Sequence, residues 1–140
     1  MKLQRDIFLN EVYNQLKIDK DIYILSADFG AEALDGIRED FNDNFIHCGI
    51  CEQAMFDIGT GLALEGKKPF VYTIATFSLF RPFEMIRVDL CYQNLPVTIV
   101  GMGAGTIYSN LGATHMTQED IAVARAIPNM NIIAPCDPLE

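Results

Sequence analysis

The sequence predicts an α/β domain, a parallel sheet covered on both faces by helices. Two observations carry this. Short apolar runs of strand length, such as Ile22-Tyr23-Ile24-Leu25 and Pro69-Phe70-Val71-Tyr72-Thr73-Ile74, alternate along the chain with longer segments of helical periodicity. The apolar runs also lead into those helices through polar crests, the pattern of strands that stack side by side in one direction. At 140 residues, half of them hydrophobic, one domain over 1–140 with a real core is expected.

The elements follow in order. Leu3, Ile7, Phe8, Val12 and Leu16 give residues 3–17 one apolar helical face. Ile22 to Asp28 predicts a buried strand, and Asp28-Phe29-Gly30 a turn. Ala33 to Phe41 predicts a short helix or an irregular connection. A second strand is expected at 44–48 and a second helix at 52–65, with Gly66 as its stop. The third strand spans 69–74. Helix 79–93 follows, with Phe83, Ile86 and Leu90 on one face. Pro96 opens a fourth strand at 97–101, and a glycine-rich loop, 101–115, leads to a helix at 118–126. Asn131-Ile132-Ile133-Ala134 predicts a fifth strand. No repeat, low-complexity segment or linker interrupts this order.

Gly49-Ile50-Cys51-Glu52-Gln53-Ala54-Met55 places one carboxylate at the start of an apolar helix, whose expected buried face is Ala54, Met55, Ile58, Gly59, Leu62 and Ala63. Glu52 therefore stands where a strand hands over to a helix, at the edge of a sheet where α/β folds hold ligands. Its plain alternative is a helix-start acid that complements the helix dipole.

Composition excludes several classes. A net charge of −9 without any basic cluster argues against a nucleic-acid surface. No apolar run approaches the ~18 residues of a membrane span, and the N-terminus lacks a signal-peptide core. A cytoplasmic protein with reduced thiols is expected. Its four cysteines read first as small hydrophobes. Cys48-Gly49-Ile50-Cys51, at a strand-to-helix turn, also fits a thiol redox pair. Cys91 and Cys136 are too isolated to complete a zinc site. Gly101-Met102-Gly103-Ala104-Gly105 fails the dinucleotide fingerprint because position 106 is Thr, and no P-loop lysine follows. Backbone freedom beside a ligand is the favoured reading for this loop, with phosphate binding the lesser alternative.

Four blocks occur in a telling order: Gly49-Ile50-Cys51-Glu52-Gln53; the aromatics Phe77, Phe80 and Phe83; Gly112-Ala113-Thr114-His115; and Arg125-Ala126-Ile127-Pro128-Asn129. From about Arg5 to the C-terminus, the chain resembles the pyrimidine-binding domain of the transketolase family. Deoxyxylulose-phosphate synthase and the beta subunits of 2-oxoacid dehydrogenases share this domain. The resemblance implies the three-layer thiamine diphosphate-binding fold and a set of roles. Glu52 would bond the cofactor's aminopyrimidine ring and favour its imino tautomer, acid–base help relayed through the cofactor. A dry setting suits such a bond. Phe77, Phe80 and Phe83 would wall the flat ring. Phe83 reads equally as core, on the apolar face of its helix. His115 would face the substrate's oxygens, whereas His47, within a strand, reads as structural.

The family pattern is also broken in places. An acidic residue common in the family falls on Leu111, a histidine of true transketolases on Gly103, and a serine near the substrate phosphate on Glu32. Arg5 is a weak match to a phosphate-binding arginine. The implied donor is thus not a standard pentose phosphate. The family holds the cofactor diphosphate and Mg2+ through a Gly-Asp-Gly segment in another domain, and this chain contains none. The diphosphate-binding and C-terminal domains are expected outside it, so that it is one subunit of a split enzyme or a truncated product.

These implications describe the pyrimidine-binding half of a transketolase-like transferase. It would catalyse two-carbon ketol transfer, or related carbon–carbon cleavage and ligation, on a small sugar or keto substrate. Its partner would be a diphosphate-binding subunit, in a homodimer or heterotetramer. The alternatives are a non-catalytic dimerisation or regulatory module of the same fold, and a Cys-x-x-Cys thiol oxidoreductase.

Overall fold

The structure, a computed structural model, describes residues 3–27 and 30–140. Four parallel strands form one sheet: β1 (Ile22–Ser26), β2 (Phe45–His47), β3 (Lys68–Ile74) and β4 (Thr98–Met102), in the spatial order β2-β1-β3-β4. Parallel neighbours need crossovers, and helices supply them. Helix α1 (Gln4–Ile18) precedes β1, α2 (Glu32–Asp40) joins β1 to β2, and α3 (Glu52–Leu64) returns the chain to β3.

Strand alternation builds two cores. Leu25 and Val71 point to one face, where Met55 and Phe56 of α3 meet Ile86, Leu90, Ala124 and Ile127. Ile22, Ile24 and Tyr72 point to the other, against Leu9, Val12 and Leu16 of α1 and Leu34 and Ile37 of α2. Helices thus lie on both faces of a parallel sheet, as the sequence predicts. The chain moves from β1 out to β2, then back past β1 to β3. Folds of this kind hold ligands at such a reversal, at the carboxyl ends of the strands.

Several expected elements take a different form. The segment expected as helix 79–93 is broken. Helix α4 (Ala75–Leu79) ends before Pro82, α5 (Phe83–Met85) restarts there, and Ile86–Tyr92 widens into a π-turn. Proline has no N–H to continue a helix but suits the start of a new one, and the Pro82 carbonyl accepts the Ile86 N–H at 2.9 Å. Helix α6 is shorter than expected, Asp120–Ala124. The fifth strand does not form. Asn131–Ala134 makes no ladder with β4, and Ile133 is 84% exposed. Apolar content marks a segment that can join a sheet, but a strand exists only once a neighbour takes its backbone bonds. The expected buried face of α3 is also shifted. Met55, Gly59 and Ala63 are buried, joined by Glu52, Phe56 and Thr60, whereas Ala54 and Ile58 are exposed. The expected turn at Asp28-Phe29 lies outside the described residues.

Candidate active site

Glu52 is the first residue of α3, and its N–H groups lie at the positive end of that helix. Its neighbours Met55 and Phe56 anchor the helix in the core, which draws the carboxylate inward until the residue is only 3% exposed. One group answers that buried charge. Arg81 Nη1 donates to Glu52 Oε1 at 2.7 Å, from a side chain that is 41% exposed. Arg81 stands one helical turn after Phe77, in the turn between α4 and α5.

The guanidinium carbon of Arg81 lies 3.8 Å from the centroid of the Phe77 ring, a close cation–π contact. The His115 ring meets Phe77 edge-on, with centroids 5.2 Å apart. Thr114 Oγ1 lies 2.9 Å from His115 Nδ1, which fixes the orientation of the imidazole. Glu52, Arg81, Phe77 and His115 therefore form one continuous cluster across three chain segments.

Loop geometry delivers His115. Gly105 and Thr117 pair as an isolated antiparallel bridge, with Gly105 N–H donating to Thr117 O at 2.8 Å, and this closes the base of the loop. Within it Gly112 adopts φ 82° and ψ −172°, a region essentially reserved for glycine, so the Gly-Ala-Thr-His block has a backbone reason for its first residue. Gly103 has φ 68°, and a Cβ there would stand 2.1 Å from the ring of Tyr108. The glycine-rich stretch therefore carries Tyr108 across its own backbone.

The other predicted residues divide. Phe80 and Phe83 are half-buried and pack against the larger core cluster. His47 is exposed at the end of β2. Arg5 donates to Asp6 Oδ1 at 2.8 Å. Cys48 is half-buried, and desolvation, then the nearby Cys51, pushes its thiol above the ordinary range. Asn129 has φ 64°, and its Nδ2 donates to the Cys91 carbonyl at 2.9 Å, a structural use for the Arg-Ala-x-Pro-Asn block. Arg81 was not singled out by sequence reasoning. Its signal is the four-residue spacing from Phe77, one helical turn that Phe80, in the helical region, carries past the end of α4. Two surface hollows, about 370 and 470 Å³, lie elsewhere, beside Phe41 and beside Arg125 respectively. Among the described residues no cluster of His, Cys, Asp and Glu could hold a metal ion, and no helix is long and apolar enough to cross a membrane.

The family profile described as "Transketolase, pyrimidine binding domain" matches residues 4–140. The chain belongs to this family. Over 134 residues it is 40% identical to a protein of Phocaeicola vulgatus described as a subunit of apulose-4-phosphate transketolase, covering 95% of this chain and 43% of that protein. It is 38% identical to a putative transketolase C-terminal section of Methanocaldococcus jannaschii, covering 84% and 38%. It is 39% identical to 1-deoxy-D-xylulose-5-phosphate synthase of Clostridium perfringens, covering 84% and 19%. A solved structure described as a split gene transketolase, inactive beta4 tetramer, superposes with a TM-score of 0.78 at 32% identity, over 90% of this chain and 40% of that one. The chain thus spans less than half the length of these transketolase relatives.

Proposed function

We propose that this chain supplies the pyrimidine-binding half of a thiamine diphosphate-dependent, transketolase-like enzyme. The observation that carries this reading is the buried Glu52 carboxylate with an aromatic face beside it. The residues fit the cofactor's ring, because a flat group that donates N–H bonds already sits in that place: the guanidinium of Arg81 bonds Glu52 Oε1 and stacks on Phe77. Bound thiamine diphosphate would supply the nucleophilic carbon for cleaving and forming bonds next to carbonyls.

The chain's own part is positioning and proton control. Glu52 would accept a hydrogen bond from the ring's N–H, and its burial would strengthen that bond. Phe77 would offer its face to the ring, with Phe80 and Phe83, which pack against the core, as further wall residues. His115, held by Thr114, stands beside Phe77 and would donate to a substrate oxygen. The substrate class is a small sugar or keto compound, and the reaction is ketol transfer or a related carbon–carbon cleavage and ligation. The apulose-4-phosphate in the name of the Phocaeicola vulgatus relative supports a sugar substrate.

Diphosphate and Mg2+ would be held by a partner subunit. That relative is named as one subunit of its transketolase, and the related tetramer is described as inactive; both support a site completed by another chain. The chain alone should bind thiamine diphosphate with millimolar affinity or weaker. Affinity and turnover should appear together when a diphosphate-binding partner is added. Calorimetry showing tight, magnesium-dependent binding by the purified chain would overturn this division of labour.

A further inference from the structure

We propose that Arg81 is a built-in occupant of the pyrimidine site, a self-ligand that must leave Glu52 before the cofactor ring can enter. The inference rests on the reading of Glu52 and Phe77 as ring contacts. It adds that the free chain keeps those contacts satisfied by its own side chain.

Three observations support it. First, one group makes both contacts. The same guanidinium donates to Glu52 Oε1 at 2.7 Å and lies 3.8 Å from the Phe77 centroid. A planar, delocalised, N–H-donating group is the closest side-chain counterpart of an aminopyrimidine edge. Ring and guanidinium would therefore compete for one carboxylate oxygen and one aromatic face.

Second, the pair is asymmetric. The Glu52 side chain is 4% exposed and fixed by the first turn of α3, whereas the Arg81 side chain is 41% exposed. Only the arginine has a route outward. Third, Arg81 lies in the turn between α4 and α5, not within a helix. Its backbone can adjust without unwinding a helical turn.

Competition of this kind lowers apparent affinity by the fraction of molecules in which the site is open. If Arg81 is seated in about nine molecules of ten, removing it should tighten ring binding about tenfold.

The test uses the whole chain and the free ring, 4-amino-5-hydroxymethyl-2-methylpyrimidine, titrated by NMR to millimolar concentration. In the wild type, the guanidinium resonances of Arg81 should shift from restricted to freely rotating as the ring saturates. Arg81→Met keeps the stem and removes the donors, and should bind the ring about tenfold more tightly. Arg81→Lys retains a charge for Glu52 without a plane to stack, and should fall between the two. It also carries the comparison if Arg81→Met does not fold. Glu52→Gln should weaken ring binding in either background.

Ring binding without release of Arg81, or weakened by both Arg81 variants, would overturn the self-ligand while leaving the pyrimidine site in place. Ring binding unaffected by Glu52→Gln would remove the site reading and this proposal with it, and ring binding absent even from Arg81→Met would overturn the self-ligand.

Discussion

At the scale of single residues, Glu52 combines two placements that the sequence separates. It opens a helix, which is legible from an acid standing before an apolar run. It is also buried, which follows only when Met55 and Phe56 seat that helix on β1 and β3. Glu52→Gln preserves shape and still accepts a bond from Arg81. In the assembled enzyme it should reduce turnover at least ~10²-fold, the scale of lost acid–base help. Stability should change by about 1 kcal/mol or less, the scale of a helix-start charge. An early-melting variant that keeps its activity would reduce Glu52 to a dipole partner. Cys48 tests the rival thiol chemistry. Its thiol is raised by desolvation and so stays protonated at neutral pH. Iodoacetamide should modify it roughly tenfold more slowly than the exposed Cys51. Preferential modification of Cys48 would restore the oxidoreductase reading.

At the scale of elements, the strands were legible where they are buried on both faces. Ile22–Ser26 and Lys68–Ile74 read as strands because each of their faces meets helices. Less legible were features set by contact across segments. The π-turn at Ile86–Tyr92 shifts residues out of helical phase, and no local pattern in that stretch announces it. Arg81 stands in the turn between α4 and α5, where periodicity alone would place a continuous helix. The lower rim of the sheet gives a pH test. Lys68 Nζ donates to Asp19 Oδ2 at 2.6 Å, joining the start of β3 to the residue after α1. That bond first, and the Asp21 N–H second, hold the Asp19 carboxyl below its ordinary range. A carboxylate depressed in the folded state stabilises the fold above its unfolded value near 4, and the gain is lost as pH falls through the lower folded value. Asp19→Asn should therefore melt earlier than wild type at pH 7, and the two curves should converge as pH falls below about 4. A gap that persists at pH 2 would mean that Asp19 acts through something other than its charge.

At the scale of the molecule, the exposed apolar residues of α3 become informative. Ala54 and Ile58, expected inside, face outward, and α3 packs beside the segment carrying exposed Val88 and Tyr92. A helix apolar on two sides reads in sequence like one with a single wide face. Only the position of the sheet tells which side is core. The outward side needs a cover, because soluble proteins rarely leave broad apolar patches open. Sedimentation at micromolar concentration should show a dimer or a larger species, and Ile58→Arg should shift it to monomer. A wild-type chain that sediments only as monomer would contradict this arrangement.

The bridge between Gly105 and Thr117 has a bearing on how such a domain can diverge. The loop that presents His115 begins and ends at nearly one point, where Gly105 and Thr117 pair with each other. Lengthening such a loop costs only fractions of a kcal/mol for a few added residues. Its contents can therefore be rewritten while Glu52 and the sheet edge stay untouched. The Glu52 half of the proposed site would then come with the fold, and the His115 half would be an exchangeable cassette through which a lineage could try new substrates.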